Sequence, residues 1–123
     1  MILEVATDSP IPAYEQIRDQ IAIMAATGEL PAGFRLPSIR HLASDLGLAP
    51  GTVARAYREL EAQRIVATRA GRGTIVAQQT HAAEQLRQRH LFAAANDFAA
   101  AVRRLGVTPE QALAMARARL LTN

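Results

Sequence analysis

The residues of this chain best suited to chemistry are its guanidinium groups. All 14 cationic side chains among its 123 residues are arginine, and the net charge is +3. Arginine stays charged and presents a planar fork that matches phosphate oxygens and guanine edges. Other chemistries find no support. Cysteine is absent, so disulfides and thiolate metal sites are excluded. His41, His81 and His90 are scattered without metal-ligand spacing. No serine–histidine or paired-carboxylate arrangement stands out, and no glycine loop follows a strand to cradle phosphate. The reading is therefore a non-enzyme with no cofactor and no metal.

A lysine-free chain can also reflect genome composition, so the distribution of charge matters more than its sum. Residues 1–77 hold eight arginines and eight acids, while residues 78–123 hold six and three. The first part is neutral overall but locally basic. Between positions 55 and 72 lie Arg55, Arg58, Arg64, Arg69 and Arg72, against only Glu59 and Glu61. Any anionic partner of the first part meets its charge there.

The elements that must position these groups follow from periodicity and punctuation. Pro12 suits a helix start, and AYEQIRDQIAIMAATG places Tyr14, Ile17, Ile21 and Met24 near one face, with Gly28 as the stop. GELPAGFRLP reads as a loop, with a short strand over Phe34 to Leu36. Ser38 caps a short helix, IRHLASDL, whose core face is Ile39, Leu42, Ala43 and Leu46, and Gly47 ends it. A three-residue turn ends at Pro50, which can open the next helix, GTVARAYRELEAQ. That helix buries Val53, Ala56, Tyr57 and Leu60 and exposes Gly51, Arg55, Arg58 and Ala62. Two β-branched runs then flank Arg69-Ala70-Gly71-Arg72-Gly73, a β-hairpin whose glycines allow positive φ. The order is that of a mostly α fold with a small β-hairpin, a winged helix-turn-helix over residues 1–77.

In such a fold the second of the paired helices lies proud of the body and fits the major groove. Arg55, nearer its start, is the better candidate for a base edge, and Arg58 could equally hold phosphate. The alternative is a solvated face with an Arg55–Glu59 pair. Arg40 lies in the first turn of its helix, where the dipole disfavours a cation by about 0.3–1 kcal/mol. A phosphate there would gather the free N–H groups and the guanidinium. Ser38, Arg40 and Thr52 thus read as phosphate positioners, the alternative being a surface arginine beside a capping serine. Arg69 and Arg72 on the hairpin could reach phosphate or a minor groove, or serve only as solubilising turn residues.

Residues 78–123 read as helical. Leu91, Ala94, Phe98, Val102 and Leu105 recur at steps of three and four, and Gly106 ends that helix. Thr108-Pro109-Glu110-Gln111 is a capping box that opens a last helix. Two helices cannot enclose a ligand cavity unaided, and a second subunit supplies the missing surface. A two-fold homodimer formed by residues 80–121 is expected, with Leu91, Phe92, Phe98, Val102, Leu105, Leu113 and Leu120 at its core. Folding back onto the winged helix is the alternative. An effector, if one is used, would sit at the subunit interface.

Several short motifs in fixed order carry a resemblance. They are Leu36-Pro37-Ser38-Ile39-Arg40-His41-Leu42-Ala43, Leu46-Gly47, Thr52-Val53-Ala54-Arg55-Ala56-Tyr57-Arg58-Glu59-Leu60 and Gly71-Arg72-Gly73-Thr74-Ile75-Val76. On these the chain resembles the GntR family of bacterial repressors, and within it the short YtrA-like group, closely over residues 12–77 and loosely beyond. The resemblance implies a transcriptional regulator that binds an inverted-repeat operator in double-stranded DNA as a homodimer. It also implies autoregulation and control of transporter genes. It places operator contacts at Arg40 and around residues 49–52, adding Pro50 and Gly51, and brings the hairpin tip near Gly71 to the minor groove. This chain has Ala49-Pro50 where many relatives carry serine or threonine then arginine, a variant similar to one in the YtrA-like group. It has Arg64 where relatives tend to have glycine. A winged helix used only for protein–protein contact is the competing class, and it would call for an apolar exposed face on the second helix. No signal peptide is visible, and no apolar run approaches the roughly 20 residues of a membrane span, so the expected compartment is the cytoplasm.

Overall fold

The computed structural model describes residues 1–78 and 81–122. Gln79, Thr80 and Asn123, all within the tail of residues 78–123, lie outside the described residues. The elements are α1 (Ala13–Thr27), α2 (Ile39–Leu46), α3 (Pro50–Ala62), β1 (Val66–Arg69), β2 (Gly73–Val76), α4 (His81–Leu105) and α5 (Pro109–Leu120). They form two compact units, one through Gln88 and one from Arg89 onward.

In the first unit, local chemistry sets each boundary. α1 follows Pro12 and stops at Gly28, whose φ of 83° lets its N–H reach the Ala25 carbonyl. Ser38 caps α2, its hydroxyl oxygen accepting from the His41 N–H at 3.1 Å. Gly47 closes α2 in the left-handed region, and Pro50 is the first residue of α3. β1 and β2 pair antiparallel from Val66↔Val76 to Arg69↔Gly73, leaving Ala70, Gly71 and Arg72 at the tip. The segment before α2, read above as a short strand, forms a single bridge to this hairpin at Arg35↔Ile75. The Leu36 N–H donates to the Thr74 carbonyl and the Val76 N–H to the Phe34 carbonyl, both at 2.8 Å. Residues 33–36 therefore anchor the wing to the body.

The core gathers the buried faces of these elements: Ile17 and Ile21 from α1, Leu42 from α2, Val53, Ala56 and Leu60 from α3, and Val66 and Val76 from the hairpin. Tyr14 and Met24 lie half-buried at its edge. Ala83 and Leu86, in the first turns of α4, belong to the same core. The unit thus continues into α4 and does not end with the hairpin. At the other end, an extended N-terminal segment is clamped by two amide side chains. Gln16 and Gln20 each donate to and accept from its backbone, at Ala6 and Glu4 respectively. Leu3 and Val5 pack against the core.

The second unit holds the rest of α4 and α5. Gly106, with φ of 68°, turns the chain between them. The expected capping box is present: the Thr108 hydroxyl oxygen accepts from the Gln111 N–H, and the Gln111 carboxamide oxygen accepts from the Thr108 N–H, each at 3.1 Å. Of its apolar residues only Ala112 is buried. Phe92 is 69% exposed and Leu105 74% exposed. A largely apolar groove of about 350 Å³ runs between the two helices, lined by Phe98, Val102, Leu105, Val107 and Met115 among others. Among the described residues no helix is long and apolar enough to cross a membrane.

Arg64 follows α3 with a φ of 62°, the one non-glycine residue described in the left-handed region. A side chain there costs about 1–2 kcal/mol, partly offset by the lower entropy of the unfolded chain compared with glycine. The variant Arg64→Gly is therefore expected to be more stable by about 0.5–1 kcal/mol, measurable as a raised urea midpoint with unchanged m-value. A lowered midpoint would show that the Arg64 side chain contributes more than its backbone costs.

Candidate nucleic-acid interface

α3 divides into three strips. Val53, Ala56, Tyr57 and Leu60 are buried, as expected from their spacing. Gly51, Arg55, Arg58 and Ala62 are exposed. Between them, Glu59 and Thr52 lie toward α1, and Ala54 and Glu61 lie toward the wing. Contacts fix this assignment. Glu59 pairs with Arg18 of α1, whereas Glu61 accepts a hydrogen bond from Thr68 of β1 at 3.3 Å.

Three supports hold α3 in place besides the apolar core. The Tyr57 hydroxyl donates to the Pro37 carbonyl at 2.8 Å, tying α3 to the residue that precedes the α2 cap. Burial pushes that phenol's pKa well above its ordinary value, so it remains a donor. Glu59 accepts from Arg18 Nη1 at 2.6 Å, and Arg18 also donates from Nε to Asp19 at 2.9 Å. The hydrogen bond from Arg18 holds the Glu59 carboxyl below the usual carboxylate range, so it is ionised at neutral pH.

The third support involves Arg55. Its guanidinium carbon lies 3.7 Å from the centre of the Tyr14 ring, and Nη2 donates to the Tyr14 hydroxyl oxygen at 3.1 Å. Its Nε donates to Glu59 at 3.4 Å, the i,i+4 pairing considered above as the alternative. The Arg55 side chain is still 54% exposed, and a base contact at this position would compete with these partners. Tyr14 was assigned only to the α1 core face. No spacing rule links positions 41 residues apart, so this contact had no sequence signal.

The other candidates are placed differently. Arg40, Arg58, Arg69 and Arg72 are exposed, and among the described residues none has an ion pair. Their positions are related through one shallow depression. It is lined by Arg35, Leu36, Pro37, Ser38, Ile39, Tyr57, Gly73 and Thr74, and so joins the start of α2, the middle of α3 and the base of the wing. Ser38 lies on its wall two residues before Arg40, and Gly73 lies there beside Arg72. Pro50, Gly51 and Thr52 form the first turn of α3, with Pro50 and Gly51 exposed and Thr52 half-buried. Gly71, at φ 75°, shapes the wing tip.

Arg35 is an addition. The sequence placed it only within a short strand, but its guanidinium covers Gly73, where a Cβ would come within 3.1 Å of Arg35 Nε. Glycine is favoured there by its φ of 72°, while the exposed Arg35 side chain would need to shift only slightly to admit a Cβ. Arg35 brings one more exposed cation to the wing base. Among the described residues no cluster of acids and histidines could hold a metal ion.

Comparison with known proteins agrees with this architecture. The family model described as bacterial regulatory proteins, gntR family, matches residues 13–76, which is α1 to the end of the wing. The HTH-type transcriptional regulator Rv1152 of Mycobacterium tuberculosis is 42% identical over 104 residues, covering 83% of this chain and 80% of that protein. YtrA from Sulfolobus acidocaldarius, a GntR-family transcription factor, superposes with a TM-score of 0.61 at 37% identity, over 77% of this chain and 99% of that one. The DNA-binding domain of AraR in complex with its operator ORX1 superposes with a TM-score of 0.55 at 26% identity, over 63% of this chain and 99% of that one. The chain belongs to the gntR family of bacterial regulatory proteins and is a DNA-binding, winged helix-turn-helix transcriptional regulator.

Proposed function

We propose that this regulator is a repressor that acts by occupancy, covering an inverted-repeat operator as a homodimer. The observation that carries the DNA-facing part is a set of exposed arginines without an ion pair among the described residues: Arg40 at the start of α2, Arg58 on α3, Arg72 on the wing, and Arg35 in the depression that joins these three elements. An apolar face, which a purely protein-binding winged helix would need, is absent from exposed α3. In this reading the first turn of α3 enters the major groove, and Gly51, lacking a side chain, lets the backbone approach the bases. Ser38, Arg40 and Thr52 hold phosphates beside the helix N-termini. Arg58 reaches a base edge or phosphate, while Arg69, Gly71 and Arg72 follow the backbone into the minor groove.

The dimer half of the reading rests on the second unit. Leu91, Phe92, Phe98, Leu105, Leu113 and Leu120 are exposed there, and Val102 is half-buried in the groove. An apolar surface this continuous is uncommon on a monomer. A second copy would cover it by two-fold symmetry and present two recognition helices to two half-sites. The tail of residues 78–123 is then the dimerisation segment, and an effector, if one acts, binds where the two copies meet. Such a protein works in the cytoplasm and needs no catalytic group.

Two measurements test this. Fluorescence anisotropy on duplex DNA over a salt series should give a log–log slope of about −0.9 per phosphate neutralised. Arg40→Ala should weaken binding to all sequences alike and make the slope shallower by about one phosphate. A flat response in the parent protein rejects DNA binding. Separately, Phe98→Glu with Leu105→Glu should sediment as a monomer and lose affinity for the paired site, down to that of a single half-site. An intact dimer would reject the tail as the interface.

A further inference from the structure

We propose that Arg55 is a positioning residue for operator recognition: it touches no DNA, and its clasp on Tyr14 and Glu59 fixes the rotation of α3 about its own axis. The proposal rests on the DNA-binding reading above and changes the role expected of its most prominent arginine.

The argument begins with what an apolar core can and cannot fix. Val53, Ala56 and Leu60 pack against Ile17 and Ile21 without directional preference. Such a contact holds two helices together and leaves small rotations of one against the other inexpensive. Directional contacts are needed to select one rotation, and α3 has several, among them Glu61 with Thr68 on the wing side and Glu59 with Arg18 on the α1 side. Tyr57 reaches Pro37 on the α2 side. On the α1 side, Arg55 joins Tyr14 by its flat face and by one N–H, and joins Glu59 by another.

The clasp is locked from behind. Glu59 is also held by Arg18, which is itself held by Asp19. Arg55, Glu59 and Arg18 therefore form a chain of alternating charge, with Tyr14 and Arg18 both on α1. To reach a phosphate or a base, Arg55 would have to leave the aromatic face and abandon a carboxylate at once. Arg58, less than one turn along the same helix, has no such ties among the described residues and is the guanidinium left available.

The same arrangement explains the charge balance of this helix. Glu59 would repel a phosphate if it stood alone on the recognition helix. Between Arg18 and Arg55 its charge is compensated, so the anion-facing side of α3 keeps the field of Arg58.

The experiment compares Arg55→Ala, Arg55→Lys, Tyr14→Ala and Tyr14→Phe by anisotropy on operator duplex across a salt series and on single-base operator variants. Each variant is first shown to be folded at the assay temperature by circular dichroism. Arg55→Ala and Tyr14→Ala should each lower affinity about three- to tenfold, with the salt slope and the order of base preferences unchanged. Arg55→Lys and Tyr14→Phe, which keep the cation and the ring, should restore most of it. Combining the two alanine changes should add little to either alone. A slope shallower by about one phosphate, or relaxed preference at one base position, overturns the proposal in favour of direct contact. Unchanged affinity with only a lower melting temperature also overturns it, since Arg55 would then serve stability alone. Should the parent protein show no salt-dependent duplex binding, the DNA reading itself fails. The thermal double-mutant cycle between Arg55 and Tyr14 then still decides the clasp, additive effects rejecting it.

Discussion

The recognition surface depends on one constraint: α3 must bury one face completely while the opposite face, Arg55 apart, stays clear of the rest of the chain. Short helices satisfy this only when the buried face is narrow and closely matched. Val53, Ala56 and Leu60 are wholly buried, and the buried residues of α1 are two isoleucines and two alanines, Ile17, Ile21, Ala22 and Ala25. Small side chains let the helix axes approach, so each buried isoleucine or leucine is surrounded on all sides. Every later feature of the site presupposes this contact. The wing is anchored through residues 33–36, the α2 cap is tied through Tyr57, and the charges are arranged on what remains exposed.

Much of this was legible because it is local. Caps, stops and turns are encoded within a few residues: Ser38 before its helix, Gly47 after it, Pro50 at the next start, and the Thr108 box further on. Hairpin glycines and helical periodicity belong to the same class, and their strand and helix limits emerge close to where the residues place them. What stayed hidden are pairings between distant positions. Arg18 with Glu59, Arg55 with Tyr14, and Arg35 with Gly73 have no spacing signature, because helix packing and sheet anchoring bring them together only in three dimensions. The pass from the wing into α4 was hidden for a related reason. Ala83 and Leu86 look like the beginning of one long helical stripe, yet they belong to the core of the first unit and Leu91 onward do not.

The arginines show that residue type alone does not assign a role. An exposed guanidinium with carboxylate and aromatic neighbours contributes to packing and loses much of its reach toward an external anion. One without such neighbours keeps its counterions in solution and can release them against DNA. Arg55 belongs to the first class, the half-buried Arg18 shares only its carboxylate contacts, and Arg40, Arg58 and Arg72 belong to the second. Arg40 adds a further consideration. No acid occupies the first turn of α2, where acids are favoured, and a cation stands there instead. That choice sacrifices a little stability at a position where a phosphate would recover it.

The second unit poses the opposite problem, too much apolar surface and too little core. Two helices joined by a tight turn can shield only the residues along their mutual seam, and here that amounts to Ala112 with the half-buried Ala99, Ala101, Val102 and Ala116. The capping box and the Gly106 turn specify how α4 meets α5, but neither reduces the exposure of Phe92, Leu105 or Leu120. A fragment so built gains little from folding alone, since the entropy of ordering its backbone is not offset by burial. Its stability must come from a surface that fits over the exposed stripe. A second copy of the chain is the covering surface proposed above.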